Sequence, residues 1–366
     1  MDDLLSWFRL KSTPGIGNHL IKRLIDRFDS PGAVFDAPKE SLLNVDGMSQ
    51  RLVRSLRDHS LPQNCTADLE ETLARGYRVV PMTDAAYPPL LRQIPDPPPY
   101  VYVHGRLEPK SANIAVVGSR IATDYGITTT RRLSSDLARG GLVVVSGMAR
   151  GIDTAAHRGA LAGGGPTYAV LGSGLERVYP PENRPIFEQI AENGAVISEF
   201  PLKTGPEAFN FPARNRIISG MSLGTIIVEA SKRSGSLITA RLAAEQGREV
   251  YAVPGSIHSF KSSGTHGLIK EGAKLVEHAQ DVMDELSHIL PEVREHPRSE
   301  AGKQPSLSSE EQEVCRLLGP YPIHIDDLVR KLSVEPGKLA SVLLNLELKG
   351  MVEQTPGKLF SIKVRS

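Results

Sequence analysis

The chain has 366 residues, enough for two or three domains of roughly 100–200 residues each. Its 43 lysines and arginines stand against 42 aspartates and glutamates, so overall charge cannot hold a polyanion and any such partner needs a local basic patch. Two distant cysteines, Cys65 and Cys315, make neither a disulfide framework nor a zinc cluster, and predict a reducing cytoplasm. The acidic start Met1-Asp2-Asp3 does not fit a signal peptide, and no apolar run approaches the ~20 residues of a membrane span.

Residues 1–65 read as short helices joined by tight turns. Pro14-Gly15-Ile16-Gly17-Asn18 precedes the apolar positions Leu20, Ile21, Leu24 and Ile25; Val45-Asp46-Gly47-Met48-Ser49 precedes Leu52, Val53 and Leu56. Both units are similar to helix-hairpin-helix motifs, whose turn amides contact a DNA backbone; a small helical domain that only packs is an equal reading. Between 61 and 108 the prolines at 81, 88, 89, 95, 97, 98 and 99 break regular structure, leaving short strands at Arg78–Pro81 and Tyr100–His104.

From Asn113 strand and helix alternate. Strands are predicted near 114–117, 142–146, 168–171, 195–198, 225–229, 249–253 and 274–276, with helices such as Thr128–Arg139 and Leu237–Gln246 between them. Near-continuous Val, Ile and Leu in the strands implies a parallel α/β sheet covered on both faces. Right-handed crossovers gather the strand C-termini on one edge. Four loops there are rich in glycine, serine and arginine: Gly118-Ser119-Arg120, Gly147-Met148-Ala149-Arg150-Gly151, Gly172-Ser173-Gly174 and Ser231-Lys232-Arg233-Ser234-Gly235-Ser236. Small residues let a ligand reach free amides, and the arginines fix positive charge beside them, so the edge is suited to phosphates.

Phe209-Asn210-Phe211-Pro212-Ala213-Arg214-Asn215-Arg216 is the most distinctive segment. Arg214 and Arg216 can neutralise phosphates, Phe209 or Phe211 can stack on a base, and Asn215 can read a base edge or hold the loop. In the alternative, Phe211 is core and Arg216 pairs with Glu229. Asp153 and His157 lie i, i+4 on one helix face; a structural hydrogen bond fixing the loop is favoured over an acid–base pair, since no third metal ligand follows. The first loop lacks the G-x-G-x-x-G spacing of dinucleotide binding, and neither a G-x-S-x-G elbow nor a G-x-x-x-x-G-K-[ST] loop occurs. No catalytic constellation, metal or cofactor is expected. The rival reading is a nucleotide or phosphoribosyl hydrolase of the lysine-decarboxylase-like group, using Glu229 of Gly224-Thr225-Ile226-Ile227-Val228-Glu229.

Residues 291–306, with three prolines among charges, form a predicted linker. Beyond it Ser308-Ser309-Glu310-Glu311 can cap a helix running toward Leu318, Ile325–Leu332 and Pro336–Lys349 read as two more helices, and Gly350–Glu353 with Leu359–Ile362 as a hairpin. Three helices and a ribbon make a winged helix at 307–366.

Taken together, Val117-Gly118-Ser119-Arg120, Ser146–Asp153, Phe211–Gly220 and Ser234–Ala240, with the spacing between them, resemble the DprA/Smf family of DNA-processing proteins over about residues 70–290. The resemblance implies an extended Rossmann-like parallel core at 66–290, flanked by the helix-hairpin-helix or SAM-like domain at 1–65 and by the winged helix. It implies single-stranded DNA binding, a homodimer, no enzymatic activity, and a role in natural transformation: protecting incoming DNA, loading RecA recombinase onto it and helping RecA displace single-strand-binding protein. Carried onto this sequence, Gly118, Ser119, Arg120, Arg214, Asn215, Arg216, Ser234, Gly235 and Ser236 would track phosphates, with Gly147, Arg150, Gly151, Lys232 and Arg233 beside them and Lys203, Phe209 and Phe211 as variable additions.

Overall fold

The computed structural model describes residues 2–109, 111–287, 308–318, 323–332, 334–349, 351–355 and 357–362. The chain divides into two compact units, residues 1–292 and 293–366. The linker expected at 291–306 lies outside the described residues.

The first unit opens with six helices: α1 (Asp2–Ser12), α2 (Asn18–Phe28), α3 (Pro31–Asp36), α4 (Lys39–Leu43), α5 (Gln50–Asp58) and α6 (Cys65–Ala74). The α1–α2 and α4–α5 turns use glycines at positive φ, Gly15 and Gly47, where a side chain would be strained. The two turns pack together: Ser55 Oγ donates to Pro14 O at 2.8 Å, and Arg23 pairs with Asp46 at 2.8 Å. Buried Trp7, Phe8 and Leu10 of α1 belong to the same apolar cluster as Tyr100, Tyr102 and Phe187 of the sheet region, and Phe8 stacks on Tyr100 with centroids 4.6 Å apart.

Strand β1 (Arg78–Pro81), α7 (Pro89–Gln93) and β2 (Tyr100–Gly105) follow, then β3 (Asn113–Gly118), α8 (Asp124–Arg139), β4 (Val143–Ser146), α9 (Ile152–Ala162), β5 (Thr167–Val170), α10 (Arg184–Asn193) and β6 (Ala195–Ser198). The second half adds α11 (Asn210–Gly220), β7 (Gly224–Val228), α12 (Ser236–Glu245), β8 (Glu249–Ala252), α13 (Ser263–Lys270), β9 (Lys274–Leu275) and α14 (Ala279–Leu286). All nine strands form one sheet, in the order β1-β2-β6-β5-β4-β3-β7-β8-β9. Strands β3 to β9 are parallel, as their continuous apolar character requires; β1 and β2 add on antiparallel beside β6.

Successive residues of β3 face opposite layers. Ile114 and Val116 join Leu133 and Leu137 of α8 and Ala156 and Ala160 of α9, whereas Ala115 and Val117 join Ile217 and Ile218 of α11 and Ala240 of α12. The chain runs outward from β3 to β6, then crosses back to start β7 on the other side of β3. Strand order therefore reverses between β3 and β7, the place where open α/β sheets leave a crevice at the strand C-termini.

The second unit holds α15 (Ser309–Leu317), β10 (Ile323–His324), α16 (Ile325–Leu332), α17 (Pro336–Leu348), β11 (Val352–Thr355) and β12 (Leu359–Ile362). Ser308 and Glu311 form the capping box expected from the sequence. Leu328, Leu339, Leu343, Leu346, Val352 and Phe360 make its core. Strand β10, too short to leave a periodicity, adds to the expected hairpin, giving the order β10-β12-β11. Three helices with this small sheet are a winged helix.

Candidate functional site

A cavity of about 810 Å³ opens at the β3/β7 switch. Its walls come from the loop after β3, Ala149 in the loop after β4, the segment after β7 and the first turns of α11 and α12. Glycine permits this convergence. A side chain on Gly118 would overlap Val228 O and push β3 from β7; one on Gly151, already at φ 72°, would overlap Ser119 O. The loops after β3 and β4 are thus wedged against each other in backbone contact.

Three cationic side chains, Arg120, Arg214 and Lys261, line the cavity against a single carboxylate, Asp153. Arg120 is exposed and makes no ion pair among the described residues; its guanidinium lies 5.0 Å from the centroid of Phe211. Lys261 Nζ donates to Ile121 O at 2.6 Å, tying the far rim to the β3 loop. Arg214 is only 3% exposed and forms the floor. It donates to Gly147 O at 2.7 Å and to Val170 O, bridging the ends of β4 and β5. Burial pulls its pKa down to about 10, opposed by the charge of Asp153, so it remains a cation at neutral pH. Burial in turn raises the Asp153 carboxyl, with Arg214 drawing it back down. Ser234 and Ser236 share a 2.8 Å hydroxyl contact at the start of α12. The lining offers fixed positive charge, hydroxyls and an aromatic wall, which is chemistry for an anion attached to a flat ring system.

The structure gathers Gly118, Ser119, Arg120, Phe211, Arg214, Asn215, Ser234, Gly235 and Ser236 on this lining. Phe211 is neither core nor a free face: Arg120 lies over its ring, Tyr179 is tilted 6.0 Å away, and Gly172 packs against it. Gly147 and Gly151 shape the β4 loop without lining the cavity. Lys232 and Arg233 are exposed and off the lining, as is the exposed Phe209. Lys203 points elsewhere and pairs with Glu71 at 2.8 Å. Arg150 pairs with Glu182 and faces a different cleft.

Arg216 departs most from the sequence expectation. It is 8% exposed, pairs with Glu199 and with Asp96 at 3.2 Å, and is absent from the cavity. It does not pair with Glu229 either. Helix α11 turns residues two apart onto opposite faces, so Arg214 and Arg216 cannot serve one strand of ligand. Tyr179, Phe260 and Lys261 were not picked out by sequence reasoning, whereas Ser231 belongs to the Ser231–Ser236 loop already read as suited to phosphates.

Asp153 and His157 do not bond each other. Asp153 accepts from Ala149 N at 3.4 Å and so does fix the loop. His157 Nδ1 meets Thr167 Oγ1 at 2.8 Å, and burial pushes its pKa down to about 3, leaving it neutral. Among the described residues no group of three His, Cys, Asp or Glu is placed to hold a metal. Glu229, at φ 50°, accepts from both Thr123 N (2.9 Å) and Thr123 Oγ1, where it holds the start of α8. Its carboxylate does not line the cavity, which disfavours the hydrolase reading. No helix among the described residues is long and apolar enough to cross a membrane.

Comparison with known proteins gives two matches to family models: "DNA recombination-mediator protein A" over residues 78–287 and "DprA winged helix domain" over residues 298–358. The chain is 34% identical to the protein Smf of Synechocystis across 96% of both chains. It is 47% identical to the DNA processing protein DprA of Streptococcus pneumoniae over 56% of this chain and 72% of that one. Among solved structures, DprA from Streptococcus pneumoniae superposes with a TM-score of 0.66 at 36% identity, covering 76% of this chain and 97% of that one. The DNA processing protein A of Helicobacter pylori, described for its single-stranded DNA binding mode, gives 0.53 at 30% identity over 59% and 97%.

Proposed function

The chain belongs to the DprA/Smf family of DNA recombination mediators, and on that premise we propose that its switch-point cavity grips the backbone of single-stranded DNA. The observation that carries this reading is the unpaired, exposed Arg120 set over Phe211 at the mouth of a cavity whose lining is net positive. Arg120 and Lys261 meet phosphates at the rim, while Arg214 supplies charge from the floor without moving. Ser119, Asn215 and Ser234 offer polar groups along the wall, and the glycines let the strand approach. Contacts of this kind read charge and spacing, so binding is tolerant of sequence. A concavity sunk between strand-end loops takes one backbone, which favours a single strand over a duplex. The single-stranded DNA binding of the Helicobacter pylori relative supports the same assignment.

In this reading the protein is a binding protein and not a catalyst. It works in the cytoplasm as a homodimer, covers single-stranded DNA during transformation and delivers it to RecA against single-strand-binding protein. The test is a binding titration with oligonucleotides of one length, single- and double-stranded, at several salt concentrations. Arg120→Ala is expected to weaken single-strand binding about tenfold for every sequence and to flatten the log–log salt slope by about 0.7. A marked sequence preference in the unaltered protein, or an Arg120→Ala protein with the parent's affinity and slope, would overturn it.

A further inference from the structure

A second cleft, of about 180 Å³, lies on the other side of the β4–α9 loop. Three arginines line it, Arg131 of α8, Arg150 of the loop and Arg158 of α9, and no carboxylate does. Gly151, Thr154, Ala155 and Arg158 form one stripe at helical spacing, and Ile127 and Arg131 form the facing stripe of α8. The two helices touch backbone to backbone here. A Cβ on Gly159 would stand 2.5 Å from Arg131 O, so the Arg131 and Arg158 turns are held side by side.

Arg131 and Arg158 are both exposed, and neither has an ion-pair or hydrogen-bond partner among the described residues. Arg150 does have one, Glu182, but that pair is solvent-exposed, with more than half of each side chain accessible. Arg131 and Arg158, without acidic partners and held on facing helix turns, put two like charges beside one cleft, and an anion that enters it is favoured by both. Guanidinium groups arranged around a small cleft suit a phosphate by their fork geometry.

The cleft is next to the cavity along the chain. Ala149 lines the cavity, while Arg150 and Gly151 line the cleft, and successive Cα atoms are only ~3.8 Å apart. The β4 loop is pressed against Ser119 and Arg120 at this point. The rim residue Arg120 and the loop that borders the cleft are therefore neighbours, which lets a strand leaving the cavity continue toward the cleft. We infer that Arg131 and Arg158, beside the Arg150–Glu182 pair, form an exit site for the phosphodiester backbone of the same single strand that the cavity holds. The inference rests on the cavity reading and extends it by at least one phosphate subsite on the α8/α9 face.

The experiment uses the full chain and two labelled oligothymidylates, of about 6 and about 25 nucleotides, read by fluorescence anisotropy over a range of salt. The variant is the double substitution Arg131→Gln/Arg158→Gln, which leaves the cavity lining and the Gly159 contact intact. The short strand is expected to bind within about twofold of the parent protein. The long strand is expected to bind about tenfold more weakly, with a salt slope shallower by about 1.4, two phosphates' worth at ~0.7 each. Unchanged affinity at both lengths overturns the exit site and leaves the cleft to an acidic protein partner. Equal loss at both lengths also overturns it, because the arginines would then act on the cavity itself. A parent protein that binds neither oligonucleotide refutes the cavity reading together with its extension, a result distinct from either of those.

Discussion

Two arginines two residues apart on α11 end in opposite kinds of place. Arg214 points to the carboxyl edge of the sheet, where it donates to backbone carbonyls and where Arg120 and Lys261 add charge that no ion pair among the described residues takes up. Arg216 points toward the N-terminal helices and is closed into a knot with Glu199 and Asp96. Lys11 of α1 joins that knot: it donates to Glu199 O at 3.1 Å and lies 4.6 Å from the Tyr100 centroid. Burial lowers the pKa of Lys11, with Glu199 pulling the other way. The difference teaches how to weigh basic residues in a suspected anion site. A cation whose acids are supplied by the fold is structure; a cation left without them is available to a ligand.

The comparison breaks most visibly at Arg216. Arg216→Ala leaves the buried Glu199 carboxylate without its ion-pair partner, and removing one partner of a buried pair costs about 3–5 kcal/mol. Urea unfolding should show that loss, while the folded fraction keeps single-strand affinity within about twofold. A variant with parental stability and lost DNA binding would mean that the knot belongs to the site.

A second measurement sharpens the contrast on the cavity side, where buried groups sit behind the Arg214 floor. His157 has a folded pKa of about 3, lowered by burial first and by the charge of Arg214 second. The unfolded imidazole titrates near 6.5. Between those values the unfolded chain binds one more proton, so this contribution to stability is complete above pH 6.5 and drains away as pH falls toward 3. The slope is about 1.4 kcal/mol per pH unit, hence roughly 3 kcal/mol by pH 4. His157→Gln is expected to flatten the acid limb of stability by one proton. Asp153, whose carboxyl is raised by burial, acts with the opposite sign in parent and variant alike and cancels in the difference. An unchanged acid limb would show that His157 is already charged in the fold.

Much of this was legible in the sequence, for physical reasons that differ by element. The parallel strands announced themselves because strands buried on both faces read as unbroken apolar runs, Ile114 to Val117 and Ile226 to Val228 among them. The α15 cap was visible because Ser308 and Glu311 act at fixed spacing. The loops after β3 and β7 were recognisable from small and basic residues at strand ends. Arg216 was misplaced because Arg214, Asn215 and Arg216 were treated as neighbours along an extended track, although the helix beginning at Asn210 separates them by its period. Lys261 and Phe260 left no signal: they follow β8 in a segment without periodicity, and only the tertiary fold carries them to the rim.

The smallest expected effect belongs to Lys203. The family resemblance made it a weaker phosphate candidate, yet the fold gives it to Glu71, 2.8 Å away, in a solvent-exposed pair that Arg75 also joins. The carboxylate raises the Lys203 pKa, with the hydrogen bond from its ammonium as the first cause. By the distinction drawn from Arg214 and Arg216, Lys203 is a cation already served, and it lies with Glu71 and Thr72 in a cleft separate from the cavity. Lys203→Ala should therefore leave single-strand affinity within about twofold and the salt slope unchanged, because an exposed, paired lysine releases no counterion for a strand that never reaches it. If the slope instead falls by the ~0.7 of a lost phosphate contact, Lys203 must exchange Glu71 for DNA when the strand arrives. Pairing within the free protein would then be a poor guide to which cations the ligand takes.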